Sequence, residues 1–390
     1  MKLTYDQQHR ELQHQVQEFL TEHWQPERAR DPAFVAEFRL KAVERGYLYR
    51  GVPRRFGGSE QPTDVVAAQI ISEAFVARRA PQEVPGNGTT MLVPVLLECG
   101  TEQQKQTFIP KTITGEYKWA QGYSEPGSGS DLASLRTRGE LRGDEWVING
   151  HKIWTTRAHE ANFMFALVRT EPDAPKHEGL SYILLDFRQP GVTVRPIQQI
   201  SGEREFCEVF LDDVRTPADW IVGERGKGWA VSKVNLKHER SAVGSAARSQ
   251  ALFRSLISLA RSTRIGGYAA IDDPAIRERI AMVEGYVQAQ LYAGYYQTTL
   301  AARGEPAGLL GLCSKLNNTN IGQMISAIAS DIAGETLLRM PAEQGKVGSE
   351  RWFRQVMGSL GMSIAGGASN IQRNIIAERG LGLPRSASDA

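Results

Sequence analysis

The apolar positions change period twice along the chain. Leu12, Val16, Phe19 and Leu20 repeat at i, i+4, i+7 and i+8, the spacing of one helical face. Val65, Ile70, Ile71 and Phe75 predict a second buried helix, and Met91 to Leu97 a further apolar segment. Residues 102–109, EQQKQTFI, pass from polar to apolar just before Pro110. Residues 1–119 therefore read as a helical domain. The period then shortens. Phe163–Val168, Tyr182–Phe187, Val192–Arg195 and Glu208–Leu211 are strand-like runs, punctuated by Pro172, Pro175, Pro190, Gly191 and Pro196. Asn149-Gly150 stands between Trp146–Ile148 and Lys152–Trp154 and favours a type I′ turn, which predicts a β-hairpin there. A small antiparallel barrel or sandwich over 120–224 closes such strands. From 225 to 390 the helical period returns. Trp229–Ala260 is long and Ala-rich, and Pro274 opens a helix through Ala281, Val283 and Leu291. Leu309–Leu338 continues the pattern, and Ile371, Ile375 and Ile376 form a last short helix that stops near Gly380. The expected fold class is α+β: a helical domain, an antiparallel β-domain, then a helical bundle.

Composition narrows the function classes. Hydrophobic residues make up 41% of the 390, enough for a packed core. Lys plus Arg is 46 against 44 Asp plus Glu, and no basic block stands out. That balance argues against nucleic acid or a membrane surface as the main partner. Cys99, Cys207 and Cys313 are far apart and form no CxxC, so neither a disulfide framework nor a metal site is predicted, and a reducing cytoplasm fits. The opening MKLTYDQQHRELQHQVQEFL lacks the apolar core of a signal peptide. No apolar run approaches the ~20 residues of a membrane-spanning helix.

Four stretches carry candidate chemistry. In QGYSEPGSGSDLAS, residues 121–134, Gly127 and Gly129 permit tight backbone, while Ser124, Ser128 and Ser130 carry hydroxyls. Such a loop either donates to an anionic or heteroaromatic ligand or merely connects two elements, with Asp131 capping a turn. It lacks the Lys of a phosphate-binding loop, which disfavours ATP chemistry. In NGHKIWTT, residues 149–156, the Trp154 indole either stacks on a flat ring, with Thr156 at its edge, or fills a core. Gly366 and Gly367 remove side chains just before a helix, whose free N–H groups suit an oxyanion or a carbonyl unless the glycines are only a turn. In LKHERSAVG, residues 236–244, Glu239 shares a helical face with Leu236, Ala242, Val243 and Ala246, with no Lys or Arg three or four positions away. A carboxylate among aliphatic side chains is costly and its pKa rises, so it is either a base or the partner of an Arg on another helix.

Together, in this order, the stretches resemble the acyl-CoA dehydrogenase family of flavoenzymes over essentially the whole chain. SEPGSGSDLAS is similar to the family's T/S-E-P-x-x-G-S-D signature, and NGHKIWTT to its N-G-x-K-x-W-I-T segment. SNIQRNIIAERGLGLPR is close to the usual family ending. The resemblance implies FAD as cofactor, an acyl-CoA substrate oxidised to the enoyl-CoA, and an electron-transferring flavoprotein as acceptor. It also implies a homodimer or homotetramer. It implies that Ser124 and Ser130 contact the flavin or its phosphates, and that Trp154 and Thr156 lie against the ring. Gln121, Tyr123, Arg264, Gln355, Gly367 and Asn370 are the further cofactor-binding positions it implies. The Gly366 N–H would donate to the thioester carbonyl. Many members hold the catalytic Glu at the position of Gly366. Others, of the isovaleryl type, carry it on the helix that opens the C-terminal domain, where Glu239 stands. The family's Arg-x-x-Phe-Gly is degenerate here, as RSTRIGGY with Arg261 or Arg264 in its place, and the Thr expected after Gly367 is Ala368. The small residues at 364–369 suggest room for a branched, cyclic or bulky acyl group. A flavin monooxygenase on the same scaffold and a non-catalytic subunit of a mixed tetramer are the alternative readings.

Overall fold

The computed structural model describes residues 5–243, 246–338 and 349–384, with side chains for all of these except 237–243, 338, 349 and 350. The chain forms two compact units. One holds the chain up to Ile197 together with Glu205–His238, and the other holds Gln198–Arg204 and the chain from Glu239 onward.

The first unit opens with α1 (Gln7–His23), α2 (Pro32–Glu44), α3 (Val65–Arg78), α4 (Val93–Cys99) and α5 (Glu102–Ile113). Asp6, Asp31 and Asp64 cap the first three by accepting N–H bonds in the first turn, and Thr101 with Gln104 forms a capping box on α5. The predicted stripe on α1 buries Val16, Phe19 and Leu20. Helix α5 does not stop at Pro110 but runs to Ile113. The missing proline N–H falls in the last turn, where burial of Phe108, Ile109 and Ile113 outweighs one lost bond.

Next comes a sheet of β1 (Trp119–Gly122), β2 (Arg138–Arg142), β3 (Glu145–Thr156), β4 (Phe163–Arg169), β5 (Leu180–Asp186), β6 (Val192–Ile197), β7 (Phe206–Pro217) and β8 (Ile221–Val222). The strand order is β6-β7-β3-β2-β4-β5-β8, with β1 beside β4. Most pairs are antiparallel, but β1 and β2 both meet β4 in parallel, so the sheet is mixed rather than purely antiparallel. Between β1 and β4 the chain travels through β2 and β3, and a crossover of that length can return a strand in the same direction.

The expected hairpin at Asn149-Gly150 is absent. Both residues lie inside the continuous strand β3, and the turn is instead Gly143-Asp144, between the paired residues Arg142 and Glu145. Gly143 supplies the left-handed backbone, at φ 67°. The Asn149 amide is used across the sheet: its Nδ2 donates to Asp213 Oδ1 at 2.9 Å, and the Asp213 N–H donates back to Oδ1 at 2.9 Å. Gly150 is needed for closeness, since a Cβ there would stand 2.2 Å from Thr137 Oγ1.

Strands β4 and β5 are buried on both faces. Phe163, Phe165, Leu167, Tyr182 and Leu184 join the core that the N-terminal helices share. Met164, Ala166, Val168, Ile183 and Leu185 alternate into a second core with Trp146, Ile148 and Val209. This is why the two strands read as near-continuous apolar runs.

The helix predicted over Trp229–Ala260 is α6 (Gly228–Val243) and α7 (Ala246–Ser262), with residues 244–245 outside the described residues. Most of α6 belongs to the first unit. The second unit continues with α8 (Pro274–Ala302), α9 (Gly308–Ala333), α10 (Ser349–Met362) and α11 (Ser369–Ile375). Pro274 begins α8 behind an Asp273 cap. Leu256, Ile280, Val283, Val287, Ile321, Ile325 and Trp352 form its core.

Candidate active site

Trp154 sits where β3 carries one more residue than its partner. The pairing passes from Lys152↔Val209 to Thr155↔Cys207, which marks a bulge. Trp154 takes φ 59°, a left-handed conformation rare for a bulky side chain. The result is an indole left 55% exposed while its neighbours Lys152 and Thr155 are buried. Phe206 meets it edge-on, with ring centroids 6.0 Å apart. Thr155 Oγ1 is buried without a hydrogen-bond partner among the described residues. A strained backbone that presents a large flat ring to solvent points to a ligand for the ring.

The 121–134 loop is fixed to the same strand. The Ile153 N–H donates to the Ser124 carbonyl at 2.9 Å. Glu125 and Ser128 exchange backbone bonds around Pro126-Gly127, and Ser128 Oγ donates to the Asp131 carbonyl at 2.8 Å. One residue from Ser124, the Glu125 carboxylate accepts from the Arg136 N–H at 2.6 Å and the Thr137 N–H at 2.9 Å. It also accepts from Lys152 Nζ at 2.9 Å. Lys152 is entirely buried, and its other two donors go to the Leu167 carbonyl at 2.8 Å and the Tyr123 carbonyl at 3.2 Å. Burial pulls the lysine down to about 8, against the opposing pull of Glu125. Burial likewise works to raise the Glu125 carboxyl, but Lys152 and the N–H donors outweigh it and hold it below the usual range. Both groups are therefore charged at neutral pH. The sequence reading leaves this pair unassigned; its signal is a Glu one residue from Ser124 and a Lys two residues from Trp154.

Of the other positions implied for this loop and strand, Gln121 and Thr156 are half-buried and Ser130 is exposed. The Tyr123 ring packs inside the core, edge-on to Phe165 and Tyr182, so its side chain faces away from solvent.

The second unit carries the rest. Gly366 and Gly367 take φ 62° and 94° just before α11, and a Cβ on Gly367 would stand 2.4 Å from Gln372 Nε2. Among the described residues, neither glycine N–H meets an acceptor. Asn370 is exposed and accepts from the Arg373 guanidinium at 3.0 Å. Arg264 is exposed and donates to the Gly267 carbonyl at 3.0 Å. Gln355 lies in α10, with Nε2 3.5 Å from Ser326 Oγ, and lines a cavity of about 30 Å³ with Ser249, Asn318, Thr319 and Ser359. The backbone of Glu239 belongs to α6, and its side chain lies outside the described residues. Among the described residues no group of His, Cys, Asp and Glu can hold a metal ion, and no helix is long and apolar enough to cross a membrane.

Three family models match in sequence order: the acyl-CoA dehydrogenase N-terminal domain over residues 6–116, the middle domain over 120–214 and the C-terminal domain over 226–381. The chain is 40% identical to the acyl-CoA dehydrogenase IpdE1 of Mycobacterium tuberculosis, over 90% of this chain and 87% of that one. The ChsE4-ChsE5 complex of Mycobacterium tuberculosis matches with a TM-score of 0.79 and 27% identity, over 99% of this chain and all of the matched chain. A Tcur3481-Tcur3483 steroid acyl-CoA dehydrogenase matches with the same TM-score, identity and coverage.

Proposed function

The chain belongs to the acyl-CoA dehydrogenase family, flavoprotein oxidoreductases acting on CH–CH groups, and from that membership we propose that it binds FAD and converts an acyl-CoA thioester to its enoyl-CoA. The observation that carries the reading is the Trp154 indole, exposed on a strained bulge and tied through Ile153 to Ser124. An exposed indole of this kind is a stacking surface for a flat ring. Trp154 and Thr156 would hold its plane and edge, with Ser124 and Ser130 offering polar contacts to the cofactor. The flavin, when bound, supplies the hydride acceptor.

The chain's own residues handle the proton and the carbonyl. Glu239 removes the proton from the α-carbon as general base. The Gly366 N–H, which meets no acceptor among the described residues, donates to the thioester oxygen as charge builds there. Gly367, Asn370, Arg264, Gln355, Gln121 and the Tyr123 backbone are the remaining cofactor contacts in this reading. The small residues at 364–369 and the steroid-type relative support a cyclic or otherwise bulky acyl group. An electron-transferring flavoprotein takes the electrons onward. The chain works as a homodimer or homotetramer; the two-chain composition of the ChsE4-ChsE5 relative favours a mixed oligomer as the second reading.

A panel of straight, branched and cyclic acyl-CoAs with a dye acceptor tests this on wild type and Glu239→Gln. The variant keeps its yellow colour and binds thioester but loses turnover by at least about a thousandfold. Full activity in Glu239→Gln removes the assignment.

A further inference from the structure

The buried face of α6 carries an unexplained amide. Gly228, Val231, Ser232 and Asn235 follow one another on that face, and the helix docks so closely that a Cβ on Gly228 would stand 2.4 Å from the Ser181 carbonyl carbon. Val231 belongs to the core of the first unit. Ser232 satisfies its own hydroxyl by donating to the Trp229 carbonyl at 2.8 Å. Asn235 does not. Its side chain is entirely buried, and neither Oδ1 nor Nδ2 has a hydrogen-bond partner among the described residues. An amide left this way is expensive, at about 1–3 kcal/mol for each unsatisfied group, and an apolar side chain of the same branching, such as leucine, would avoid the cost. The protein keeps the amide at a position where packing alone gives it no use.

Its place on the helix suggests the use. Glu239 lies four residues on, one turn and ~6 Å further along the same face. The nucleotide end of a thioester is large, charged and must reach water. The direction from Glu239 toward Asn235 leads instead to full burial beside Val231, which suits the acyl end. We propose that Asn235 determines specificity: its amide is held for a hydroxyl or carbonyl oxygen on the acyl group, about one helical turn from the α-carbon that Glu239 deprotonates. The substrate class is thus an acyl-CoA bearing a hydrogen-bonding oxygen, not a plain hydrocarbon chain. Nδ2 donates to that oxygen, and a hydroxyl donates in return to Oδ1. The inference rests on the dehydrogenase reading and on Glu239 as base.

The test compares holoenzyme and Asn235→Leu holoenzyme in two measurements. The first is thermal unfolding without thioester. Removing an unpaired amide raises Tm by about 2 °C or more, whereas an amide that served the fold through bound water would lower it. The second is kcat/KM for hexanoyl-CoA against hexanoyl-CoA carrying a hydroxyl or keto oxygen on the next-to-last carbon. Wild type favours the oxygenated thioesters by at least about tenfold, and the variant loses or reverses that preference. Both results together support the inference. A lower Tm, or the same preference in both proteins, or no preference in wild type, overturns it. If Asn235→Leu does not fold, the amide is structural and the inference is likewise overturned. The dehydrogenase reading fails separately, if wild type oxidises no member of the wider acyl-CoA panel.

Discussion

Lys152 and Asn235 are both entirely buried, and the protein treats them in opposite ways. Lys152 spends its three donors on Glu125, Leu167 and Tyr123, and its carboxylate partner collects two further N–H bonds. Nothing is left over for a ligand. Asn235 has no partner among the described residues for either amide atom. The difference separates two uses of buried polarity. A satisfied network fixes the shape of a loop, while an unsatisfied group keeps its bonding capacity for something that arrives later.

The largest expected effect comes from removing the Lys152 charge. Lys152→Met strands a buried carboxylate and costs about 3–5 kcal/mol in a urea titration. The double variant Lys152→Met/Glu125→Gln recovers most of that, because no charge is then left unpaired. Next in size is Gly228→Ala. Its Cβ would stand 2.4 Å and 2.5 Å from backbone atoms of Ser181 and Tyr182, so the start of α6 must move off β5. The expected cost is about 1–3 kcal/mol by chemical denaturation, with thioester turnover falling further than flavin retention because α6 carries Asn235 and Glu239.

A third effect is pH-dependent. The folded Lys152 titrates at about 8 against 10.5 for a free lysine, so between those values the unfolded chain binds more protons. Stability attributable to this residue therefore rises with pH across that window. Measured from about pH 7.5 to about pH 9.5, wild type gains roughly 2 kcal/mol relative to the double variant. Tyr49 has the opposite sign, because burial raises it to about 12 and its contribution is lost only as pH climbs above 10. Smallest is Trp154→Gly. Relief of the left-handed strain offsets the entropy cost of glycine, leaving stability within about 1 kcal/mol, while flavin absorbance in the purified protein is largely lost.

Element identity was legible where one period ran long. The stripe of α1, the apolar runs of β4 and β5 and the start of α8 at Pro274 all appear where the pattern puts them. Local signals misled where tertiary contacts decided. Asn149-Gly150 has the chemistry of a turn, but in β3 the asparagine bonds Asp213 and the glycine admits Thr137. The helix boundary past Pro110 was not legible either, since α5 continues to Ile113 on the burial of Ile109 and Ile113. Trp154 was legible as a residue but not as a bulge, since register depends on Val209 and Cys207 more than fifty positions away. Asn235 gave no signal at all: an asparagine in a helix is ordinary until its burial and lack of partners are known.

The two-sided burial of β4 and β5 bears on how the first unit comes apart. Each strand supplies one row of side chains to the N-terminal helical core and the other row to the core inside the sheet, so neither interior can be emptied while the other stays intact. A slip of one residue would trade Phe163, Phe165 and Leu167 for Met164, Ala166 and Val168 and misfit both interiors at once. Heat or urea should therefore melt helices and sheet in that unit as a single event, with no stage at which one survives alone.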